Sequence, residues 1–294
     1  MVTAKMVKEL RDRTGAGMLD CKKALENTGG DVDKAVDWLR EKGMASAAKK
    51  SGRIAAEGMS AIKVEGDSAV VLEVNSETDF VAKNEEFKTL VSDLADLLLA
   101  EKPADMDAAL ALDLNGQTVA DAITAATAKI GEKISFRRFE IIEKEAAQHF
   151  GAYTHMGGTV SAVVVLEGNE EIARDMAMQV ASMGAIYVSR EEVPAETLEH
   201  ETNIQKEVVK NDPALADKPE KVIEGIVRGR VNKSLVEVSL VDQPFFKNPD
   251  EKVAQVLKNE GSSVVKFVRF AVGEGIEKRE EDFAEEVAKA SKVN

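Results

Sequence analysis

The sequence predicts an α+β fold in which a small helical unit is followed by two similar core subdomains. Hydrophobic strand-like runs alternate with amphipathic helices along most of the 294 residues. A weak internal repeat gives both halves the same order of strand, helices and strand. A chain of this length can form two or three compact units, each with its own core. The predicted boundaries are 1–55 for the N-terminal unit, 56–145 for the first core subdomain, 146–186 with 233–275 for the second, 187–232 for an inserted helical hairpin and 276–294 for a C-terminal helical module.

Three short helices are predicted in the N-terminal unit. Thr3 is a suitable N-cap for the first helix and Asp31 for the third. Gly29-Gly30 separates the second helix from the third, and Gly43 is expected to end the third as a C′ glycine. Residues 44–56 are rich in Ala, Lys, Ser and Gly, which predicts a tether to the next unit.

The internal repeat defines the two core subdomains. The run at 69–73 resembles the run at 162–167, and each precedes an amphipathic helix. Farther along, FRRF at 136–139 resembles FVRF at 267–270, and each lies inside a strand-like run. Because matches this short arise by chance, the prediction depends on the shared order of elements rather than on the letters.

Extra length in the second half predicts the inserted hairpin. A helical stretch at 194–210 is broken by Asn211-Asp212-Pro213, and Pro219 suits the first turn of a second helix. Such an arm contacts a partner or a second copy of the chain, or it packs on the body as an ordinary helical pair, and both alternatives stay open. The charged stretch 277–294 has the sparse apolar face of a helix that docks onto something larger.

Charge and composition exclude several classes of function. The formal net charge is −14, so direct binding of nucleic acid is not expected. No apolar run approaches the roughly 18 residues that span a bilayer, and no signal-like segment is found. The single cysteine, Cys21, fits a reducing compartment and is expected to be a small buried side chain. A cytoplasmic protein that does not bind membranes is predicted.

No convincing catalytic set is found. Gly15-Ala16-Gly17 lies between two helices rather than after a strand, which predicts a helix–helix turn and not a dinucleotide site. His149 and His155 have no nearby cysteine and no recurring ligand spacing, so no metal or cofactor is expected. An interaction protein is therefore favoured over an enzyme. A non-catalytic helical adaptor or chaperone-like binder is one form that such a protein could take.

The most informative segment is TDFVAKN at 78–84, where a hydrophobic strand gives way to an amphipathic helix. Thr78 is a candidate N-cap for a short turn that holds Asp79 and Phe80, and Asn84 is a candidate N-cap for the helix. That helix already has enough apolar residues to fill its own core face without Phe80. The ring is either a core plug beneath the turn or a wedge aimed at another molecule, and the local pattern leaves both open.

At these residues the chain resembles the family of bacterial translation elongation factor Ts, the nucleotide exchange factor for elongation factor Tu. The resemblance covers the whole length, and EVNSETDFVAKN at 73–84 is similar to the most specific signature of the family. It implies a three-helix ubiquitin-associated-like N-terminal domain, a two-subdomain core, an inserted coiled-coil hairpin and a C-terminal helical module. The other similar runs are VKELRDRTGAGMLDCKKAL at 7–25, YTH at 153–155 before Gly157-Gly158, VSL at 238–240 with QPF at 243–245, FVRF at 267–270 and VGEGIE at 272–277.

The resemblance implies a guanine nucleotide exchange factor that acts by binding and is not an enzyme. Such a factor binds elongation factor Tu in its GDP-bound and nucleotide-free forms. It promotes GDP release during translation elongation by displacing magnesium and disturbing the phosphate site, so that GTP can bind. The residues to which the family pattern assigns magnesium dislocation are Thr78, Asp79, Phe80 and Val81, and supporting contacts are expected from Lys83, Asn84 and His155.

The resemblance also assigns surfaces to the predicted units. In the family, the N-terminal domain and the first core subdomain contact the GTPase domain of elongation factor Tu, and the second subdomain reaches its third domain. The hairpin is compatible with a homodimer, although the sequence does not decide the oligomeric state. One departure concerns Thr159-Val160-Ser161, where the family more often has a basic residue, an aliphatic residue and glycine, and it affects the contacts expected around His155.

Overall fold

A computed structural model describes residues 2–215 and 218–277 of the chain. Helices and strands alternate along it, and the predicted α+β fold class is confirmed. Nearly all of the predicted C-terminal helical module at 276–294 lies outside the described residues. The helices are α1 (Ala4–Thr14), α2 (Met18–Asn27), α3 (Val32–Lys50), α4 (Asp79–Ala82), α5 (Glu85–Glu101), α6 (Met106–Ala111), α7 (Val119–Ile130), α8 (Ala173–Met183), α9 (Ala195–Lys210), α10 (Glu220–Val238) and α11 (Val253–Asn259). The strands are β1 (Glu57–Glu65), β2 (Ser68–Ser76), β3 (Asp113–Leu114), β4 (Gln117–Thr118), β5 (Ser135–Glu143), β6 (Gln148–His155), β7 (Val160–Glu167), β8 (Pro244–Phe245), β9 (Asn248–Lys252) and β10 (Ser263–Ala271).

Contacts between Cα atoms divide the chain into two compact units. The first unit contains the residues before Ser60, the segment Leu72–Phe139 and the described residues after Ala271. The second unit contains Ser60–Val71 and Glu140–Ala271. The limits fall within β1, β2 and β5, so each of these strands contributes residues to both units.

The three N-terminal helices share a small core. Leu10, Cys21, Leu25 and Ala35 are fully buried in it. Burial raises the pKa of the Cys21 thiol, which keeps it protonated. The structure therefore confirms that this cysteine is a small buried side chain.

The predicted helix caps at Thr3 and Asp31 are both confirmed. The Thr3 hydroxyl accepts a hydrogen bond from the Met6 amide at 3.3 Å, and the Asp31 carboxylate accepts one from the Lys34 amide at 3.0 Å. The glycine segment between α1 and α2 is also a helix–helix turn, because Gly15 ends α1 in the left-handed region and Gly17 begins α2.

The prediction that Gly43 ends the third helix is wrong. α3 continues through Gly43 to Lys50, so most of the expected tether is helical. A Cβ atom at Gly43 would lie 3.1 Å from the Cβ atom of Ala128, which shows that this glycine permits close packing of α3 on α7. The following residues are mostly alanines and lysines, which favour helix. Two lysines in the last turn also complement the helix dipole.

Two three-stranded sheets repeat the same topology. Their strand orders are β1-β2-β5 and β10-β7-β6. In each sheet the central strand carries the first run of the internal repeat, and the strand added after the intervening helices carries the second run. The predicted order of strand, helices and strand is thus confirmed, and the repeat marks equivalent positions in the two sheets.

The second sheet is antiparallel and packs through both of its faces within the second unit. Val164 and Leu166 of β7 lie in one cluster with Met176 and Val180 of α8. Gly151 of β6 is needed there, because a Cβ atom would overlap the backbone of Ala173 at the start of α8. On the opposite face, Val163, Val165 and Phe270 are buried together with Ala69, Val71 and Ile142.

The helical pair α9 and α10 runs antiparallel. The hydroxyl of Ser234, near the end of α10, donates to the carboxylate of Glu201, near the start of α9, at 2.7 Å. Val209, near the end of α9, packs with Val227 and Val231 in the middle of α10. The two long helices predicted around the break at 211–213 are therefore present.

Candidate functional site

The segment at 78–84 joins β2, the central strand of the first sheet, to α5, a 17-residue helix of the first unit. β2 ends at Ser76, one turn of helix forms α4 (Asp79–Ala82), and α5 begins at Glu85. The strand is buried along almost its whole length. The face of α5 that points inwards contains Phe87, Val91, Leu94, Ala95, Leu98 and Leu99.

Phe80 projects from this one-turn helix into solvent. Its side chain is 79% exposed, whereas the next residue, Val81, is only 8% exposed. The core-plug alternative for Phe80 is therefore wrong, because the interior position at this turn is filled by Val81. An exposed phenylalanine on an anchored turn exposes apolar surface that a partner can bury.

Asp79 and Lys83 flank the exposed ring. The Lys83 Nζ atom lies 2.6 Å from the Asp79 carboxylate and 5.9 Å from the centroid of the Phe80 ring. The hydrogen bond from Lys83 lowers the pKa of the Asp79 carboxyl group, which stays ionised at neutral pH. Since both side chains are exposed, this pair orients the surface of the turn more than it stabilises the fold.

Thr78 occupies the N-cap position of α4, but its hydroxyl does not cap the helix. Instead, the hydroxyl and the backbone N–H of Thr78 donate to the two carboxylate oxygens of Glu132, at 2.7 and 2.9 Å. The neighbouring Glu77 carboxylate accepts from the backbone N–H of Lys133 at 2.6 Å. The segment before Phe80 is thus tied to the turn between α7 and β5.

Asn84 ends the segment as the predicted N-cap of α5. Its side-chain oxygen accepts from the backbone N–H groups of Glu86 and Phe87, at 2.8 and 3.4 Å. This cap satisfies two amide groups that have no partner inside the helix.

His155 lies in the second unit, at the end of β6. Its Nδ1 atom is 3.3 Å from the Tyr153 hydroxyl, and the two rings lie 5.8 Å apart. The next residue, Met156, is 75% exposed and has a left-handed φ of 47°. The structure therefore groups Thr78–Asn84 within the first unit and places His155 at a hairpin tip of the second.

The part of the chain that the structure describes contains no cluster of three or more His, Cys, Asp and Glu side chains suited to hold a metal ion. Among the described helices, none is both long enough and apolar enough to cross a membrane.

A family model described as elongation factor TS matches residues 77–274. The match covers more than half of the 294 residues. This chain belongs to the elongation factor TS family. Over the matched residues, family membership confirms the resemblance found in the sequence, and it gives the protein a role in translation elongation. It also implies an interaction with elongation factor Tu.

The match to the elongation factor TS family begins at Glu77, so it contains the whole exposed turn as well as His155. Glu77 and Glu132 were not among the predicted site residues. Their contacts join positions 54 and 56 residues apart in the chain. No local pattern indicates such contacts, since each glutamate is one of many acidic residues in the sequence.

Proposed function

We propose that this protein is a guanine nucleotide exchange factor for elongation factor Tu. It binds the GDP-bound form, promotes release of GDP and leaves a nucleotide-free form that takes up GTP during translation elongation. Family membership supports the proposal, and one observation carries its mechanism: Phe80 is 79% exposed on a turn that is anchored on both sides.

The energetics require binding rather than catalysis. A nanomolar nucleotide complex corresponds to about 12 kcal/mol, and each 1.4 kcal/mol of weakening gives about a tenfold change in affinity. A factor that binds the nucleotide-free partner more tightly than the nucleotide-bound partner must weaken nucleotide binding by the same ratio. A large contact surface and one well-placed disturbance of the nucleotide site are therefore sufficient.

The exposed ring supplies that disturbance at the magnesium site of the partner. Magnesium and backbone N–H groups hold the phosphates of a bound diphosphate. A phenyl ring has no oxygen lone pair with which to coordinate the ion. Phe80 therefore displaces the magnesium ion from its ligands without offering it a new one. Asp79 stands beside the ring as an ionised carboxylate, and it perturbs the same cation and its ligands.

The other residues of the segment take supporting roles. Val81 is 8% exposed, so it contributes by anchoring the turn from beneath, and Thr78 orients the turn from its start. Lys83 holds Asp79 beside the ring and is available to the partner, as is the exposed part of Asn84. His155 provides a supporting contact from the second unit.

The wider contacts follow the arrangement implied by the family. The N-terminal unit (1–55) and the first core subdomain (56–145) bind the GTPase domain of elongation factor Tu, and the second core subdomain (146–186 with 233–275) binds its third domain. The hairpin at 187–232 is a coiled coil that offers a surface for a homodimer. The complex forms in the cytoplasm, where translation elongation takes place.

Stopped-flow release of a fluorescent GDP analogue from elongation factor Tu tests the proposal. The wild-type chain should accelerate release, and Phe80→Ala should slow the maximal rate several-fold while the variant still binds nucleotide-free elongation factor Tu. Phe80→Leu separates the two properties of the side chain, because it keeps apolar bulk and removes the ring.

Val64→Ala is a matched control, since Val64 is a partly exposed apolar residue on β1, and it should leave the release rate unchanged. An unchanged rate for Phe80→Ala with full binding would rule out the wedge. Binding by the wild-type chain without faster release would instead favour a helical adaptor.

A further inference from the structure

We infer that Glu77 and Glu132 are positioning residues that aim Phe80. Together with Thr78 and Lys133 they form a reciprocal pair of carboxylate contacts, called the clasp below. The clasp joins the chain just before α4 to the turn between α7 and β5. This inference rests on the proposed exchange function, because its consequence is the direction in which Phe80 is presented.

The first half of the clasp is the two-point contact of Glu132 with Thr78. One carboxylate oxygen accepts from the backbone N–H at 2.9 Å, and the other accepts from the hydroxyl at 2.7 Å. Two bonds to two different atoms of one residue fix its orientation as well as its distance. Hydrogen bonds to an ionised acceptor are also stronger than those between neutral groups.

The second half runs in the opposite direction. Glu77, the residue before Thr78, accepts from the backbone N–H of Lys133, the residue after Glu132, at 2.6 Å. The Glu77 carboxylate also accepts a hydrogen bond from Nη1 of Arg53 at 3.2 Å. The Lys133 ammonium group donates to the Arg53 carbonyl at 2.9 Å. Each segment therefore gives a carboxylate to the other and receives a backbone donor in return.

Both ends of the clasp adjoin helical or buried parts of the first unit. Gly131 ends α7 in the left-handed region, with φ at 89°. The next residue after the clasp, Ile134, is 4% exposed, and its amide donates to the Thr127 hydroxyl at 3.1 Å. On the other side, Thr78 follows the buried strand β2. The clasp thus bridges two anchored elements across the base of the turn.

The exposed turn needs such support because α4 has only four residues. A single helical turn is not stable by itself in water, since nucleation costs more than one turn of hydrogen bonds returns. Its direction is therefore set by the buried Val81 beneath it and by its flanks, of which Asn84 belongs to α5 and Thr78 to the clasp. Phe80 makes no buried packing contact of its own that would hold its direction, as its 79% exposure shows.

A positioning role and a general stabilising role predict different results. If the clasp aims Phe80, its loss lowers the maximal rate of GDP release and leaves the half-saturating concentration and the unfolding midpoint nearly unchanged. A displacement of about 1 Å at a reacting centre can reduce a rate by up to about 100-fold. Because Glu132 acts through the ring, loss of both bonds to Thr78 should slow release several-fold and by no more than Phe80→Ala does.

The experiment compares Glu132→Ala and Glu132→Gln in the full-length chain by stopped-flow release of a fluorescent GDP analogue from elongation factor Tu. The alanine variant loses both bonds and should be slower several-fold, by no more than Phe80→Ala. The glutamine variant can accept from the Thr78 amide and donate to its hydroxyl, so it should recover most of the rate. Glu101→Ala, which removes an exposed carboxylate of α5, is the control and should match the wild type.

A double-mutant cycle with Phe80→Ala decides whether Glu132 acts through the ring. Because coupled residues are not additive, Glu132→Ala should cost less than about twofold in the Phe80→Ala background. Equal losses in both backgrounds, or a loss of binding and thermal stability in step with the rate, would overturn the inference. If Phe80→Ala slows release but Glu132→Ala does not, the clasp is refuted and the exchange function stands. If the wild-type chain fails to accelerate release, the exchange function itself is refuted.

Discussion

Glu73 and Arg138 form an ion pair inside the first unit, with carboxylate Oε2 2.6 Å from the guanidinium Nε. The Glu73 side chain has no solvent exposure. Its other oxygen, Oε1, accepts from the Arg137 guanidinium at 3.0 Å, from the side-chain amide of Asn75 at 3.0 Å and from the backbone N–H of Gly273 at 2.8 Å. This buried carboxylate, with its four donors, joins β2, β5 and the turn that follows β10. Glu73 itself lies a few residues before the exposed turn in the sequence.

Removal of this carboxylate should destabilise the protein strongly. Glu73→Ala removes the buried acceptor that two guanidinium groups, the Asn75 side-chain amide and the Gly273 N–H share, so a loss of about 3 kcal/mol in the free energy of unfolding is expected. Urea denaturation followed by circular dichroism measures it. Glu65→Ala, at an exposed position of the β1–β2 hairpin, should change stability by no more than about 0.5 kcal/mol.

The same carboxylate should make stability depend on pH. Burial by itself would raise the pKa of Glu73, but the hydrogen bonds from Gly273, Asn75, Arg137 and Arg138 outweigh it and lower the pKa. The folded pKa lies below the unfolded value of about 4.3. The stabilisation is therefore complete above that unfolded value and is lost as the pH falls through the folded pKa.

Thermal unfolding of the wild type and Glu73→Gln between about pH 7 and pH 3 tests this dependence. The wild type should be the more stable at neutral pH, and the difference should shrink as the pH falls below the unfolded value of about 4.3. A difference that stays constant with pH would show that the charge of Glu73 contributes nothing to stability.

Two glycine substitutions should act in opposite directions. Gly151→Ala places a methyl group on the backbone of Ala173, and neither strand nor helix can move without disturbing the second unit's core. A loss of about 3 kcal/mol in the free energy of unfolding is expected.

Gly229 lies on the exposed side of α10 with open space around it. Gly229→Ala should therefore add about 0.5–1 kcal/mol to the free energy of unfolding by favouring helix. Denaturant midpoints measure both, and equal effects of one sign would contradict this assignment.

Loss of the helix cap at Asn84 should weaken the start of α5. Asn84→Ala leaves the amide groups of Glu86 and Phe87 without their side-chain acceptor, at a cost of about 1 kcal/mol. Asn84→Asp keeps an acceptor there and should retain most of the stability. Amide hydrogen exchange at Glu86 and Phe87 provides the local measurement, and unchanged protection in the alanine variant would contradict the cap.

Short-range features were predictable from sequence where the determining contacts are local. The caps at Thr3, Asp31 and Asn84 each involve a side chain and an amide two or three residues away. The prediction for Gly43 was wrong because it considered only the neighbouring residues, and a glycine that follows a helical pattern commonly marks the C-terminal end of the helix. Its actual role depends on Ala128, which belongs to another helix 85 positions later in the chain.

The sequence by itself determined the α+β class, the repeated order of strands and helices, the family and the identity of the exposed turn, because periodicity and short motifs are properties of neighbouring residues. It did not determine which way Phe80 points. Only the tertiary structure decided that Val81 fills the interior position while Phe80 stays in solvent, and that Glu132 reaches Thr78 from 54 residues away. Burial and long-range hydrogen bonds depend on which segments the fold brings together, and no local pattern contains that information.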